Sequence, residues 1–216
     1  MATNREIFNN IAQSWYGYRH YSRFQTELQQ VASRWKTGKL LNIGCGHGAD
    51  FLPFRTGFKL HGLDFSVQMV KQARRYAQKF EFNVELVVAD AQYLPYRNGS
   101  FENVIAVAVY HHIRGKKERQ IAFTELRRIL KPGAEAFITV WNKWQPRFWF
   151  QPKETYVPWK TRNQEFKRYY YLFSYGELER IIRKSGFEII RIFPESKYKF
   201  PMKYFSQNIC ILVKAI

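Results

Sequence analysis

Apolar residues along this chain fall into short continuous runs separated by stretches with helical spacing. The continuous runs cover residues 40–43, 60–63, 84–89, 103–109 and 136–140, and two more cover residues 187–193 and 208–214. Runs of this length without polar alternation are typical of parallel strands that are covered on both faces. Strands that alternate with helices predict an α/β fold with a doubly wound, mostly parallel seven-stranded sheet of the Rossmann-like type.

The predicted helices have recognisable start and stop residues. Ser66 is a candidate N-cap for a helix that carries Val67 on its inward face. Ser174 and Glu177 have the spacing of a capping box at the start of a later helix. Between these two helices, the Lys-Pro-Gly sequence at residues 131–133 is predicted to stop a third one.

Residues 1–38 are predicted to form an N-terminal helical segment, because their apolar side chains recur at helical spacing. The aromatic-rich residues 15–21 interrupt that spacing. Two interpretations are open: these rings belong to the core, or they form a lid over a ligand site with Arg19 reaching inward. No repeat, low-complexity tract or linker divides the chain, so residues 1–216 are predicted to be a single domain.

The first strand ends in a turn with three glycines spaced two apart, Gly44, Gly46 and Gly48. Glycine has no Cβ and tolerates a positive φ, so the backbone can turn sharply and approach a ligand closely. Asp64 follows twenty residues after Gly44, at the end of the second strand, where a carboxylate can accept hydrogen bonds from both ribose hydroxyls. The arrangement predicts an adenosine-cofactor site. On this motif alone, a dinucleotide site and a plain tight turn stay open.

Composition narrows the class of protein. The chain is 46% hydrophobic and 18% aromatic, which excludes a disordered protein. No apolar run approaches membrane-spanning length, and residues 1–10 lack the apolar stretch of a signal peptide. Cys45 and Cys210 form no disulfide framework and no metal-binding spacing. We therefore expect a cytoplasmic protein with no metal and no membrane contact.

The charge of the chain is strongly positive. Thirty-five Lys and Arg residues against 17 Asp and Glu residues give a formal net charge of +18. Such a charge attracts a polyanion, and nucleic acid is favoured over a membrane because no basic amphipathic anchor stands out. A generally basic, well-solvated surface is the alternative.

Residues 141–173 form an insert after the fifth strand that a minimal sheet does not need. Between Lys143 and Arg168 the insert has seven Lys or Arg residues against two Glu residues, with aromatic residues interleaved. Cations beside flat rings suit phosphates and unstacked bases, which favours RNA recognition by the insert. Alternatively, the rings form a small satellite core with the charges on its solvated face.

Five motifs occur in a characteristic order, at residues 41–48, 63–66, 89–91, 100–104 and 126–133. By these motifs the chain resembles a class I S-adenosylmethionine-dependent methyltransferase. Dinucleotide dehydrogenases do not typically combine Asp90 with the motif at 131–133. The resemblance implies S-adenosyl-L-methionine as cofactor, and the family commonly has Asp where this chain has Asn42. The implied cofactor-binding residues are Asn42, Gly44, Cys45, Gly46, Gly48, Asp64, Phe65, Ser66, Asp90, Ala91, Ala106 and Val107.

A narrower resemblance extends over nearly the whole chain. Its motifs lie at residues 11–12, 18–21, 107–112, 157–159, 168–173 and 176–178. By these the chain is similar to the tRNA wobble-uridine carboxymethyl methyltransferases, which esterify the carboxylate of 5-carboxymethyluridine in the anticodon. The resemblance implies tRNA as partner. It also implies a small zinc-binding activator subunit, which would pair along the third-strand edge, Val84 to Val88.

The residues that would serve this reaction follow from the same resemblance. The candidate catalytic residues are Arg19, His111 and His112. The candidate substrate-binding residues are Tyr18, Lys143, Arg147, Trp159, Lys160, Arg168 and Tyr169. One histidine is expected to hydrogen-bond the substrate, with His112 favoured.

Elementary chemistry favours an acid as methyl acceptor. A carboxylate is already ionised at neutral pH and needs no general base, so the enzyme mainly aligns an in-line displacement. A guanidinium such as that of Arg19 would hold the acceptor carboxylate. Methylation of uridine carbon-5 usually needs a cysteine, but Cys45 is in the cofactor loop and Cys210 is distant. Methylation of an adenine amine commonly shows Asn-Pro-Pro-Tyr, whereas residues 109–112 read Val-Tyr-His-His. Two alternatives stay open: a small-molecule carboxylate or hydroxyl methyltransferase, and a cofactor-binding RNA module without activity.

Overall fold

The computed structural model describes residues 2–18, 20–161 and 164–216. Within these ranges the helices are α1 (Asn4–Tyr18), α2 (Gln25–Trp35), α3 (Val67–Lys79), α4 (Lys116–Ile129) and α5 (Tyr175–Lys184). The strands are β1 (Gly38–Ile43), β2 (Phe58–Asp64), β3 (Val84–Val88), β4 (Phe101–Val107), β5 (Leu130–Trp141), β6 (Glu154–Lys160), β7 (Glu165–Tyr171), β8 (Phe187–Pro194) and β9 (Asn208–Ala215).

Seven of these strands form one sheet in the order β3-β2-β1-β4-β5-β9-β8. β1 to β5 pair in parallel, and β9 runs antiparallel to β5 and β8. This topology confirms the predicted mostly parallel, doubly wound α/β sheet. The strand order reverses between β1 and β4, and ligands of such sheets bind at the carboxyl ends of the strands beside this reversal.

Hydrophobic clusters cover both faces of the sheet. Leu41 and Ile43 of β1 belong to one buried cluster, and their neighbour Leu40 belongs to the other. Because successive side chains of a strand point to opposite faces, both faces of β1 are dry. This two-sided burial is the reason why the strands appear in the sequence as continuous apolar runs.

The junction between α4 and β5 confirms one prediction and corrects another. α4 ends at Ile129, just before the Lys-Pro-Gly sequence that was predicted to stop it, but β5 begins at Leu130 and not at residue 136. Phe101 pairs with Leu130 while Asn103 pairs with Glu135, so the residues between bulge out of the ladder. A bulge tolerates proline because its backbone makes no regular ladder hydrogen bonds.

The two predicted helix caps are present, with one difference. The Ser66 hydroxyl accepts a hydrogen bond from the Met69 N–H, and the Ser174 hydroxyl accepts one from the Glu177 N–H. The Glu177 carboxylate instead bonds the Tyr171 hydroxyl and Lys153, so only half of the capping box forms. Val67 was wrongly placed on the inward face of α3: it lies in the first turn and is 42% exposed.

The insert contains an antiparallel hairpin of β6 and β7 that the sequence analysis missed. Pro158 lies within β6, and neither β6 nor β7 has the regular alternation of polar and apolar residues that marks a strand, so the sequence gave no clear strand signal. Phe148, Val157, Tyr170 and Leu172 form a small separate cluster, as the packing interpretation of the insert predicted. Other rings of the insert remain exposed, so packing does not account for all of them.

Neither a membrane span nor a metal site stands out in the described part of the chain. None of its helices is long and apolar enough to cross a bilayer. Its His, Cys, Asp and Glu side chains form no group of three or more that would hold a metal ion. The division of the chain into domains stays a prediction.

Candidate active site

A cavity of about 590 Å³ lies at the carboxyl ends of β1, β2 and β4, beside the reversal of strand order. Gly44 and Gly46 line it from the glycine loop, Asp64 from β2 and Val107 from β4. Phe8 of α1 also lines it, so the N-terminal helix forms part of the wall. The size is typical of a cofactor site.

The glycine loop requires glycine for separate reasons at two positions. Gly44 has a φ of 63°, and a Cβ there would lie 2.5 Å from a methyl carbon of Val109. Gly48 has a φ of 95°, and a Cβ there would lie 3.4 Å from the backbone of Ala73 in α3. The first glycine therefore keeps the loop close to the β4 side of the cavity, and the other packs the loop on α3.

Asp64 is held rigidly at the cavity wall. Its Oδ2 accepts a hydrogen bond from the Gly46 N–H and its Oδ1 accepts one from the Ser66 N–H, both at 2.9 Å. Burial raises the pKa of Asp64 to about 6, although the two backbone hydrogen bonds act in the opposite direction. At neutral pH the carboxylate is ionised and can accept hydrogen bonds from ribose hydroxyls, so this end of the cavity fits an adenosine cofactor.

Most predicted cofactor residues line the cavity. Besides Asp64 they are Gly44, Cys45, Gly46, Phe65, Asp90, Ala91 and Val107. Asp90 is oriented by its Oδ1, which accepts hydrogen bonds from the backbone N–H and the side-chain amide of Gln92.

Four predicted cofactor residues lie outside the lining. Ser66 caps α3 and donates to Asn9, Gly48 packs on α3, and Ala106 is part of the sheet core. The fully buried Asn42 amide has no hydrogen-bond partner within the described residues. These residues are adjacent in sequence to ligand-facing ones, and sequence alone does not separate the two kinds.

His111 and His112 both line the cavity. β4 ends at Val107 and not at residue 109 as predicted, because Ala108 adopts a left-handed φ of 60°. A single turn of 3₁₀ helix, Tyr110–His112, follows it. This turn places the two imidazoles beside each other, with ring centroids 4.5 Å apart.

Hydrogen bonds with backbone groups place the proton on a different ring nitrogen in each of the two histidines. His111 Nδ1 accepts from the Trp141 N–H at 3.1 Å, so its proton is on Nε2. His112 Nδ1 lies 3.1 Å from the Tyr169 carbonyl oxygen, which only accepts, so its proton is on Nδ1. Burial lowers the pKa of both, that of His112 to about 3. Two neutral imidazoles therefore face the cavity at neutral pH.

Arg168 of β7 supplies a buried positive charge to the same cavity. Its side chain is 6% exposed and lies against Trp15, Trp159 and Tyr170, with ring centroids 5.6, 4.9 and 5.4 Å from the guanidinium carbon. Burial lowers its pKa, and its Nε has no hydrogen-bond partner among the described residues. Arginine stays protonated in proteins, so a buried guanidinium without a carboxylate partner favours an anionic ligand.

The other predicted substrate residues divide into two groups. Tyr18, Arg147 and Trp159 line the cavity with Arg168. Lys143, Lys160 and Tyr169 lie outside the lining.

The contacts of this second group are structural. The Lys143 ammonium donates to the carbonyls of Phe148 and Trp149, and Lys160 pairs with Glu165 at 3.8 Å. Tyr169 is buried and holds His112 through its backbone. Arg19, a predicted catalytic residue, lies outside the described residues. Trp15, Trp141 and Tyr170 also line the cavity. The sequence analysis placed them in the candidate lid and in the insert but not among the site residues, because aromatic residues in sequence do not distinguish core from site.

Comparisons with known proteins place the chain among methyltransferases. A family model described as a methyltransferase domain matches residues 41–138. A putative methyltransferase of Encephalitozoon cuniculi is 30% identical over 159 residues, which cover 70% of each chain. The CcbJ methyltransferase from Streptomyces caelestis superposes with a TM-score of 0.77 at 15% identity, covering 99% of this chain and 98% of that one, and shows the same fold.

Two further relatives are tRNA methyltransferases by name. The tRNA (carboxymethyluridine(34)-5-O)-methyltransferase of Schizosaccharomyces pombe is 27% identical over 175 residues, covering 69% of this chain and 73% of that protein. The probable tRNA methyltransferase 9B of Bos taurus is 31% identical over 139 residues, covering 64% of this chain. The match spans only 29% of the bovine protein's own length.

The fold, the carboxylate of Asp64 at the end of β2 and these similarities define the class of the protein. The chain belongs to the S-adenosylmethionine-dependent methyltransferases, and S-adenosylmethionine is its cofactor. Within that class, its relatives include enzymes of tRNA modification. The predicted class of methyltransferase is thereby confirmed.

Proposed function

We propose that this methyltransferase esterifies the carboxylate of 5-carboxymethyluridine at the wobble position of a tRNA anticodon. The observation that carries the proposal is Arg168, a buried guanidinium that has no carboxylate partner among the described residues and lines the cavity with the histidine pair. A neutral acceptor would leave this charge uncompensated, whereas a carboxylate would neutralise it. The similarity to the fission-yeast enzyme supports the same acceptor.

The site residues suit methyl transfer to a carboxylate oxygen. S-adenosylmethionine supplies a methyl group already activated on a sulfonium. Arg168 would bind the acceptor carboxylate, and the rings of Trp15 and Trp159 would exclude water around it. The acceptor needs no general base because its pKa of about 4 leaves it ionised. The neutral His111 and His112 add no second positive charge that would weaken the nucleophile.

Partners of the reaction belong to the same proposal. The net charge of +18 suits a tRNA substrate. β3 has β2 as its sheet neighbour and lies at the end of the strand order, so its outer edge has room for an added strand. Pairing of a zinc-binding activator subunit with Val84–Val88 stays a prediction, and so does a cytoplasmic location.

The test uses purified protein, methyl-labelled S-adenosylmethionine and bulk tRNA, with and without an activator subunit. We expect label in tRNA that mild alkali releases, because a methyl ester is alkali-labile. Label confined to small molecules would favour a small-molecule carboxylate methyltransferase, for which Arg168 is equally suited. Cofactor binding without any transfer would favour an RNA module that lacks activity.

A variant pair tests the role of Arg168 directly. Replacing Arg168 by Met should lower kcat/KM for tRNA by about 10-fold to 100-fold, the range for losing a charge-assisted hydrogen bond. The affinity for S-adenosylmethionine should stay unchanged. Lys167→Met is the matched control, because Lys167 is the exposed neighbour of Arg168 in β7. Equal effects of the two substitutions would contradict this role.

A further inference from the structure

Two loops that are distant in sequence meet on the surface of the protein. The first is residues 144–150 of the insert, and the second is residues 198–205, between β8 and β9. Trp149 and Phe205 join them in an edge-to-face contact, with ring centroids 5.8 Å apart. Phe200 extends the row, 6.4 Å from Phe205. We call residues 144–150 and 198–205 together the two-loop surface.

Large rings are exposed across the two-loop surface. Phe150 is 97% exposed, Tyr204 is 55% exposed and Phe200 is 54% exposed. Trp144 and Trp149 are each nearly half exposed, and the indole N–H of Trp149 donates to the Trp144 carbonyl. A contiguous set of exposed rings on a soluble protein marks an interaction site.

The charged residues within the two-loop surface are all basic. Residues 144–150 and 198–205 contain Arg147, Lys199 and Lys203 and no Asp or Glu, and Glu195 lies just before the second loop, where it accepts from the Gln207 N–H. Lys197 and Lys199 are exposed, and the Lys203 ammonium lies 5.6 Å from the Tyr204 ring centroid. Cations interleaved with exposed rings are the combination that binds single-stranded nucleic acid, where rings stack on bases and cations contact phosphates.

The two-loop surface continues into the cavity. Arg147, in the first loop between Trp144 and Trp149, lines the cavity. Asn208, which follows the second loop as the first residue of β9, also lines it. A strand with one nucleotide in the cavity would therefore pass directly onto these rings.

We propose that the two-loop surface binds the single-stranded nucleotides that flank the methylated nucleotide in the RNA substrate. The inference rests on the proposed function, since it takes the cavity as the site of the target nucleotide. It assigns RNA contact to residues 198–205, which no sequence motif indicated. It also moves the contact within the insert from Lys143 and Tyr169, which have structural roles, to the exposed rings of the first loop.

The test measures binding of an anticodon stem-loop RNA that carries 5-carboxymethyluridine. Phe150→Ala combined with Phe200→Ala should weaken binding by about 5-fold to 100-fold, the range expected for loss of base stacking. Tyr93→Ala, which removes a 71% exposed ring elsewhere on the surface, is the control and should have no effect. Lys199→Glu with Lys203→Glu should also weaken binding, and more than Lys71→Glu with Arg74→Glu, which changes the charge equally on the outer face of α3.

Four measurements decide the result: cofactor affinity, RNA binding, self-association and RNA methylation. Cofactor affinity should be the same in all variants, which shows that they fold. Equal RNA binding by the two-loop variants and their controls would overturn the inference. A loss of self-association in Phe150→Ala with unchanged RNA binding would overturn it as well, by making the surface a contact between copies. If the wild-type protein methylates no RNA but binds the stem-loop through these residues, the result would support RNA binding by the two-loop surface and contradict the proposed reaction.

Discussion

Asp64 and Arg168 carry opposite charges in the lining of one cavity, and both are almost fully buried. Burial raises the pKa of Asp64 and lowers that of Arg168, so each group holds its charge at an energetic cost. In the proposed function, ribose hydroxyls at Asp64 and a carboxylate at Arg168 would offset that cost.

The raised pKa of Asp64 predicts how cofactor binding depends on pH. The ribose hydroxyls favour the ionised carboxylate, and the free protein ionises it only above a pKa of about 6. Affinity for S-adenosylmethionine should therefore be constant above that pH and fall by up to about tenfold per pH unit below it. Isothermal titration calorimetry across this range measures the effect. Asp64→Asn should bind weakly with no such dependence, and a flat wild-type profile would contradict the assignment.

At the scale of elements, helix α1 connects the two halves of the site. The Asn4 amide donates to the carbonyls of His112 and Tyr169 and accepts from the Tyr169 N–H. Further along the same helix, the Asn9 side-chain oxygen accepts a hydrogen bond from the Ser66 hydroxyl at the start of α3. α1 is thus fastened to the acceptor end through its first residue and to the cofactor end through its middle.

Replacing Ser66 tests which of two roles it has, the N-cap of α3 or a ligand of the cofactor. Ser66→Ala removes the N-cap of α3 and the bond to Asn9, and should lower the free energy of unfolding by about 1–2 kcal/mol. Cofactor affinity of the folded protein should not change, because Ser66 does not line the cavity. Urea unfolding and calorimetry measure the two quantities. Ser174→Ala is the matched cap control in α5, and a large loss of affinity specific to Ser66→Ala would restore Ser66 as a ligand.

At the scale of the whole molecule, the positive charge acts over a longer range than any single contact. The formal net charge of +18 raises the local concentration of a polyanion around the protein, whatever its sequence. In the proposed function, the buried Asp64 and Arg168 would discriminate between ligands, while the surface charge would mainly speed the encounter with tRNA and add affinity. Salt screens the surface charge much more than the buried groups.

Salt dependence separates these two contributions. Between 50 and 200 mM salt, tRNA affinity should fall by about 10³-fold or more, as expected when several phosphates are contacted. Cofactor affinity should change little over the same range, because its site is largely enclosed. Fluorescence anisotropy for tRNA and calorimetry for the cofactor provide the comparison. Parallel, small changes in both would show that the charge is incidental to tRNA binding.

Much of the part of the cavity formed by the glycine loop and Asp64 could be predicted from the sequence alone. Gly44 and Asp64 are recognisable because the backbone geometry of the turn and the acid at a strand end are local properties, expressed within about twenty residues. The parallel sheet is recognisable for a similar reason, since two-sided burial leaves continuous apolar runs. The bulge at residues 131–134 was not recognisable, because only pairing with β4 keeps that sequence in a strand.

The part of the cavity that Arg168 and the two histidines line depends on contacts between residues that are far apart in the chain. Arg168, Lys143 and Lys160 look alike in the sequence as basic residues among rings, yet only Arg168 faces the cavity. The hairpin of β6 and β7, packed against the 3₁₀ turn and α1, decides which of them is buried there. The sequence by itself determined the fold class and the cofactor loop through short-range backbone preferences and burial patterns. Only the tertiary structure decided which of the basic residues of the insert line the cavity, because the direction of a side chain is set by packing against elements that the local sequence does not contain.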